Sequence, residues 1–191
     1  MKTIPKDYSD TLIVKQSRFI AHIVPYFMYE SLLQQLKAEH PKARHFVTAF
    51  RYFNAFDQIV EGSSDDGEPR GTSGKPTLAV LQGHELINVG MITVRYFGGT
   101  KLGTGGLVRA YSDAANLVLG SAAVHAYVKE VTAQFTCNYQ TVQLAEYTLG
   151  QCRIERIEKV FETDRVIFRV VADEASLAAL FSALERHVVR L

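Results

Sequence analysis

The residues best suited to chemistry gather in two glycine-rich segments, SSDDGEPRGTSGKP and GGTKLGTGG. Glycine lets a backbone approach a ligand closely, and the second segment runs directly into a predicted helix. The first amides of a helix lack partners within it and carry a partial positive charge, so they can hold an anion. The sequence therefore predicts an anion site at Gly103, Thr104, Gly105 and Gly106. The alternative is that these glycines serve only tight turns.

Basic and aromatic side chains accompany these segments. The stretch 69–109 contains only one acid, Glu85, against five bases: Arg70, Lys75, Arg95, Lys101 and Arg109. Lysine and arginine bind phosphate oxygens, and aromatic rings beside arginines can stack on nucleic-acid bases. We expect phosphate contacts from Lys75, Arg95, Lys101 and Arg109. Tyr96 and Phe97 either stack on a ligand or only close the core end of their strand.

The sequence predicts no catalytic constellation, no metal site and no cofactor, and we lean toward a protein that is not an enzyme. The acidic run Asp65, Asp66 and Glu68 offers oxygens to a hard cation. Turns and caps explain the aspartates equally well, and a pairing with Arg70 or Lys75 explains Glu68. Candidates for a pocket between the loops are Arg18, His45, Asp65, Asp66 and Glu68.

Known phosphate-binding loops fit these segments poorly. A proline follows Lys75 where a P-loop needs serine or threonine, and Val108 breaks the G-x-G-x-x-G pattern. The segment KLGTGGLVRA is distantly similar to the glycine-rich ATP loop of the GHMP small-molecule kinases. The two cysteines, Cys137 and Cys152, are too few for a disulfide framework or a structural zinc site.

Length and composition limit the classes of protein. The chain has 191 residues, of which 47% are hydrophobic, and a net charge of +1. This composition supports a folded core and excludes wholesale electrostatic binding of nucleic acid, while a local basic patch stays compatible. No stretch approaches the roughly 18 apolar residues of a membrane span, and the start lacks a signal-peptide core. We expect a cytoplasmic protein with no membrane partner.

Hydrophobic periodicity predicts the elements that must position the loops. We expect two domains: residues 1–126 with a net charge of +2, from 13 bases and 11 acids, and residues 127–191 with −1, from 8 bases and 9 acids. The predicted first-domain elements are one bent or two short strands in Thr11–Pro25, a helix in Phe27–Glu39, a strand in Ala43–Phe53, irregular chain in Asn54–Pro76, a short helix in Thr77–Gln82, a strand in Leu86–Phe97 and a helix capped by Thr104 and ended at Gly120.

The second domain shows a β-α-β-β-α order, that of a ferredoxin-like split βαβ unit. Its expected last strand is missing or reduced to Val188–Leu191. The other predicted elements are a strand in Lys129–Cys137, a helix in Tyr139–Gly150, a hairpin of Cys152–Glu162 with Arg165–Ala172, and a helix capped by Asp173. A sheet edge left open in this way is compatible with a homodimer.

Several motifs together resemble the YigZ/IMPACT family: SDDGEPRGTSGKP, RYFGGTKLGTGGLVRAYSDA, SRF at Ser17–Phe19 and ARH at Ala43–His45. The family usually has GTAG where this chain has GTSG, so Ser73 stands in place of the alanine. The resemblance implies an α+β protein. Its N-terminal domain would be of the IMPACT type, like the second domain of a small-subunit ribosomal protein. Its C-terminal ferredoxin-like domain would resemble the last domain of elongation factor G.

The same resemblance implies a cytoplasmic role linked to translation. Eukaryotic relatives inhibit activation of the amino-acid-starvation kinase by competing for its ribosome-associated activator. We therefore expect a non-enzymatic protein that binds RNA or a ribosome-associated protein. One alternative is an enzyme or binding protein for a small phosphorylated or nucleotide ligand at the glycine-rich loops. Another is a pure protein-interaction module.

Overall fold

The computed structural model describes all 191 residues and divides into two units, Met1–Tyr127 and Val128–Leu191. Both units combine helices with antiparallel sheets, so the predicted α+β class is confirmed. No helix in the chain is both long enough and apolar enough to cross a lipid bilayer.

The first unit is built on a five-stranded antiparallel sheet in the order β2-β3-β6-β4-β5. Helices α2 and α3 pack on one face of this sheet and α1 on the other. The central strand β6 is buried along almost its whole length, which explains its continuous apolar sequence. The strands are β2 (Tyr8–Val14), β3 (Ser17–Pro25), β4 (His45–Phe53), β5 (Ile59–Ser64) and β6 (Val89–Tyr96), and the helices are α1 (Tyr29–Glu39), α2 (Gly74–Gly83) and α3 (Gly103–Ser121).

The structure decides one open expectation for this unit and corrects two others. Of the two alternatives for 11–25, the two-strand one is confirmed, because Lys15 and Gln16 take positive φ angles and make a tight hairpin turn. Strand β5 lies inside the stretch predicted to be irregular. Its Gly62 leaves room for the ring of Phe50, which a Cβ atom at that position would approach to 2.6 Å. Helix α3 begins before Thr104, which makes no capping hydrogen bond, and it continues past Gly120.

The beginning and the end of the first unit are held together by a two-stranded antiparallel sheet. Strand β1 (Lys2–Thr3) pairs with β7 (His125–Ala126). The amide of Tyr127 also donates to the carbonyl of Met1. Ile4, directly after β1, is buried in the main core of the unit, so the N-terminal residues are part of the fold.

The second unit is a four-stranded antiparallel sheet in the order β11-β8-β10-β9, the arrangement of two interleaved split βαβ units. The last strand exists but has only two residues. Asp173 caps α5 as predicted, because its carboxylate accepts hydrogen bonds from the amide and hydroxyl of Ser176. The elements are β8 (Glu130–Cys137), α4 (Val142–Gln151), β9 (Arg156–Phe161), β10 (Val166–Asp173), α5 (Glu174–Leu184) and β11 (Val189–Arg190).

The core of the second unit is apolar. Helices α4 and α5 cover one face of its sheet. In the core of this unit the rings of Phe135 and Phe168 stack in parallel, with their centres 4.9 Å apart. The opposite face of the sheet carries no helix of this unit and presents mainly polar and charged side chains.

Candidate functional site

A buried carboxylate, that of Glu68, lies at the centre of the motif residues. Its Oε1 accepts a hydrogen bond of 2.5 Å from Nη1 of Arg95 and one of 2.8 Å from the hydroxyl of Tyr111. Nε2 of His45 lies 4.0 Å from the same oxygen. The side chains of Glu68 and Arg95 are only 3% and 7% exposed. The predicted pairing of Glu68 with Arg70 or Lys75 is therefore wrong.

The strand register brings these side chains together. Phe19 on β3 and His45 on β4 are the two neighbours of Arg95 across the sheet, so all three point to the side of α2 and α3. The guanidinium of Arg95 lies 5.4 Å from the ring centre of Phe19 and 5.8 Å from that of Phe97. The ion pair is thus enclosed by aromatic surfaces.

Tyr111 reaches this cluster from α3 and packs edge-on against Phe19 at 5.1 Å. Burial raises the pKa of Tyr111 well above its ordinary value, and the carboxylate of Glu68 raises it further. The phenol therefore keeps its proton and acts as a hydrogen-bond donor to Glu68. It is not a general base at physiological pH.

The two aspartates of the DDGEP motif shape the loop that carries Glu68. Asp65 accepts hydrogen bonds from the amides of Gly71, Ser73 and Gly74 and from the Ser73 hydroxyl, at 2.7–3.1 Å. Burial alone would raise the pKa of Asp65, but these four bonds outweigh it and hold the pKa below its usual value. Asp66 accepts from the amide of Phe46, and its carbonyl accepts from Nδ1 of His45. The interpretation of both aspartates as turn and cap residues is confirmed.

The second glycine-rich segment packs directly on the turn between β2 and β3. A Cβ atom at Gly98 would lie 2.0 Å from the carbonyl carbon of Gln16, so only glycine fits there without movement. The amide of Gly98 donates to the hydroxyl of Ser17 at 3.0 Å. Gly99 and Gly103 adopt positive φ angles of 87° and 72° on the way to the helix. The serine of the SRF motif thus anchors the loop that leads into α3.

The two motif segments share one cavity of about 350 Å³. At its margin Nε of Arg95 is buried and makes no hydrogen bond. The first turn of α3 has no side-chain cap, so its leading amides have no partner from a capping side chain. The lining residues are Glu68 and Pro69 from the first segment, and Arg95, Phe97, Lys101, Leu102, Gly103, Thr104 and Leu107 from the second part of the sequence. Apolar walls combined with hydrogen-bond donors suit a ligand that has both a flat apolar part and an anionic part.

The predicted site residues divide into three groups. The cavity is lined by Glu68, Arg95, Lys101, Gly103 and Thr104. Other predicted residues do not line it: exposed Lys75 near the start of α2, Gly105, Gly106 and exposed Arg109 on α3, Asp65 and Asp66 in the first loop, and His45 on β4, which is bonded to that loop. The expected contribution of Arg95 also changes, because one of its nitrogens is already paired with Glu68.

Arg18 and Tyr96 form the third group, on the opposite face of the sheet. Tyr96 follows Arg95 in β6 and so points to the side of α1, where its hydroxyl lies 2.9 Å from Nδ1 of His40. The guanidinium of Arg18 covers its ring at 4.5 Å. Neither residue lines the cavity. Sequence reasoning missed Tyr111 and Ser17, although a tyrosine on the buried face of a helix signals that its hydroxyl has a polar partner.

These features define the chain as a two-unit α+β protein with a cavity shared by two glycine-rich motifs. Residues 15–119 match the family model described as the Impact N-terminal domain. The chain belongs to the IMPACT family, and the resemblance inferred from its motifs is confirmed.

Similar proteins cover both units. The family member YigZ from Escherichia coli is 37% identical over 173 residues, which are 89% of this chain and 84% of that protein. A member from Haemophilus influenzae is 35% identical over 154 residues, 79% of this chain and 75% of that protein. The crystal structure of a protein described as hypothetical superposes with a TM-score of 0.71 and 31% identity, covering 100% of this chain and 95% of that one.

Proposed function

We propose that this protein is a non-enzymatic, translation-associated protein that binds RNA through the motif face of its first unit. One observation carries the proposal: the two family motifs line a single cavity that contains unpartnered hydrogen-bond donors. The translation link rests on the family resemblance. We also propose that the first unit is like the second domain of a small-subunit ribosomal protein, and that the second unit is like the last domain of elongation factor G.

The donors at this face suit phosphate groups. A helix N-terminus without a side-chain cap offers amides to an anion, and Lys101 at the cavity adds a full positive charge. Lys75 on α2 and Arg109 on α3 are also exposed, so both are available to further phosphate groups. Phe97 is 55% exposed at the cavity, which leaves its ring available for stacking on a base.

The number of bases predicts modest, salt-sensitive binding. For single strands, log K falls by about 0.7 per log unit of salt for each phosphate contact. Three exposed bases, Lys75, Lys101 and Arg109, would therefore give a slope of about −2. A near-neutral chain adds little long-range attraction.

The direct test is a fluorescence titration of the full chain with single-stranded and structured RNA at low and high salt. Lys101→Ala/Arg109→Ala should weaken binding and reduce the salt slope by about 1.4, because two of the three contacts are lost. The matched control is Lys37→Ala/Lys42→Ala, which removes the same charge from exposed positions outside the motifs. Absence of binding at low salt, or equal weakening in the control, would overturn RNA binding at this face.

The translation link needs a separate measurement. Co-sedimentation of the chain with ribosomes, before and after nuclease treatment, distinguishes an RNA contact from a protein contact. We expect association that nuclease removes. Association that survives complete nuclease treatment would indicate a protein-interaction module, and the RNA part of the proposal would then be wrong.

A second candidate function is the binding of a small phosphorylated or nucleotide ligand. The cavity volume of about 350 Å³ favours it, because this volume lies within the usual range for small-molecule sites. Both carboxylate oxygens of Asp65 and Oε1 of Glu68 already accept hydrogen bonds from protein donors, which favours binding over catalysis. A thermal-shift screen with nucleotides tests it: a ligand at 100 times its Kd adds about 2.7 kcal/mol to the free energy of unfolding.

A further inference from the structure

Strand β9 is an open edge of the sheet in the second unit. It pairs with β10 on one side and has no strand on the other. Its six residues contain neither proline nor glycine, and all of them except Ile157 are exposed. Such an edge presents unpaired backbone groups to another chain. The opposite edge, β11, is too short to act in the same way.

We infer that β9 pairs antiparallel with β9 of a second copy of this chain, about a twofold axis through Ile157, to form one continuous eight-stranded sheet. The charge pattern of β9 itself identifies a second copy of this chain as the partner. In this register Arg156 lies opposite Glu158 of the partner subunit, and Glu158 lies opposite Arg156 of the partner subunit. Lys159 likewise lies opposite Glu155 of the partner subunit.

The geometry of a sheet leaves few registers to consider. A twofold axis perpendicular to the sheet makes opposite residues share a face, so the axis must pass through a residue position. Axes at Arg156, Glu158 or Lys159 would place a like charge directly against itself. An axis at Val160 would oppose Glu158 to Glu162 of the partner subunit. An axis at Phe161 would pair the following turn instead of the strand. Only the axis at Ile157 combines unlike charges in the opposite positions with an apolar pair at the centre.

Distances across a sheet favour the unlike pairs. Directly opposite residues have Cβ atoms about 4.5–5.5 Å apart, while diagonal neighbours are about 7–8 Å apart. With the axis at Ile157, the like-charged neighbours, Arg156 and its copy or Glu158 and its copy, fall on the diagonals. Attraction between Arg156 and Glu158 therefore acts over the shorter distance.

Ion pairs within each copy would extend this pattern into a network. On the helix-free face of the sheet, Arg156 pairs with Glu130, and Glu158 accepts a 3.1 Å hydrogen bond from Arg169. Joining two copies creates a row of alternating sign: Glu130, Arg156, then the partner's Glu158 and the partner's Arg169. Networks of this kind stabilise more than isolated surface pairs do.

The edges of the other sheet show that this pattern is not general. In the five-stranded sheet of the first unit, the edge strand β2 has a single charged residue, Asp10, and the edge strand β5 has only Glu61. Neither strand contains a base, so neither can form unlike pairs with its own copy. Among the edge strands β2, β5 and β9, only β9 can place its charged side chains opposite unlike charges of its own copy.

The test is the mass of the full chain in solution, measured by sedimentation equilibrium over a range of concentrations. We expect the average mass to rise toward twice that of one chain. Arg156→Glu and Glu158→Arg should each abolish this rise, because each variant opposes like charges in its own dimer. Circular dichroism should show that both variants stay folded, since the substituted side chains are exposed.

Mixing the two single variants gives the decisive result. A copy with Arg156→Glu carries two acids, a copy with Glu158→Arg carries two bases, and both cross-strand pairs are restored in the heterodimer. The mixture should therefore regain the doubled mass that neither variant shows alone. Glu162→Arg, outside the paired residues of this register, is the control and should dimerise like the native chain. A monomeric native chain, a dimer unaffected by either single variant, or a mixture that stays monomeric would each overturn the inference.

Discussion

In the first unit the carboxylate of Glu68 is buried and shared by Arg95 and Tyr111, with His45 close by. The second unit places its ion pairs at the surface instead, where each joins exposed partners such as Arg165 and Glu162. Its interior consists of stacked and packed apolar side chains. One unit thus carries charge into its core beside a cavity, and the other keeps charge in contact with water.

The difference between the two units shows which polar groups lie beside a candidate site and which lie only at the surface. Burial of a charge is expensive unless a partner and further hydrogen bonds compensate it, and an apolar replacement is often as stable. The buried cluster is therefore better explained by the cavity that it supports than by a gain in stability. Exposed ion pairs contribute little to folding, which leaves those of the second unit free to select a partner.

The largest expected effect comes from breaking the buried pair. Glu68→Ala leaves the guanidinium of Arg95 buried without its counter-ion and the hydroxyl of Tyr111 without an acceptor. Breaking a buried pair in this way costs about 3–5 kcal/mol, and urea denaturation measures the loss of unfolding free energy. The control in the second unit, Glu162→Ala, removes an exposed partner of Arg165 and should leave stability unchanged within error. Equal losses in both variants would erase the contrast between the units.

A smaller effect is expected from one glycine in each unit. Gly98→Ala forces a Cβ atom against the backbone at Gln16 and should cost about 1–3 kcal/mol, as overpacking does. Gly150→Ala, within α4, meets no atom within 4 Å and replaces glycine by a better helix former, so it should add about 0.5–1 kcal/mol. Thermal unfolding of the two variants tests whether stability falls in Gly98→Ala and rises in Gly150→Ala. A neutral Gly98→Ala variant would show that the loop does not need its close contact with the hairpin turn.

The smallest effect concerns pH. The pKa of Asp65 is lowered in the folded chain, so its contribution to stability is complete above its unfolded pKa of about 3.9 and is lost as the pH falls through the lower folded value. Asp65→Asn should cost about 1 kcal/mol near neutral pH, as the loss of a helix cap does. The gap to the native chain should close in acid, which urea denaturation at several pH values measures. Asp173→Asn, which affects two bonds from Ser176 instead of four, should show a weaker dependence in the same direction.

Much of the fold could be predicted from local sequence, and much of the site could not. Alternation and helical periodicity located the main strands and helices, and the family motifs located the loops. Strand β5 was missed because glycine and serine suggest a turn, whereas pairing with β4 and the ring of Phe50 hold Gly62 in a strand. The partner of Glu68 was missed because Arg95 is distant in sequence and both residue types are usually exposed. The opposite orientations of Arg95 and Tyr96, by contrast, follow from simple alternation along β6.

The pairing of β1 with β7 has a practical consequence for handling this protein. Because the first unit begins and ends at neighbouring strands, its two ends can be joined by a short linker and new ends opened at an exposed turn elsewhere. A circularly permuted first unit should therefore fold. A tag fused at Met1 would emerge beside Tyr127, the last residue before the chain continues into the second unit, so reporter groups are better placed at Leu191.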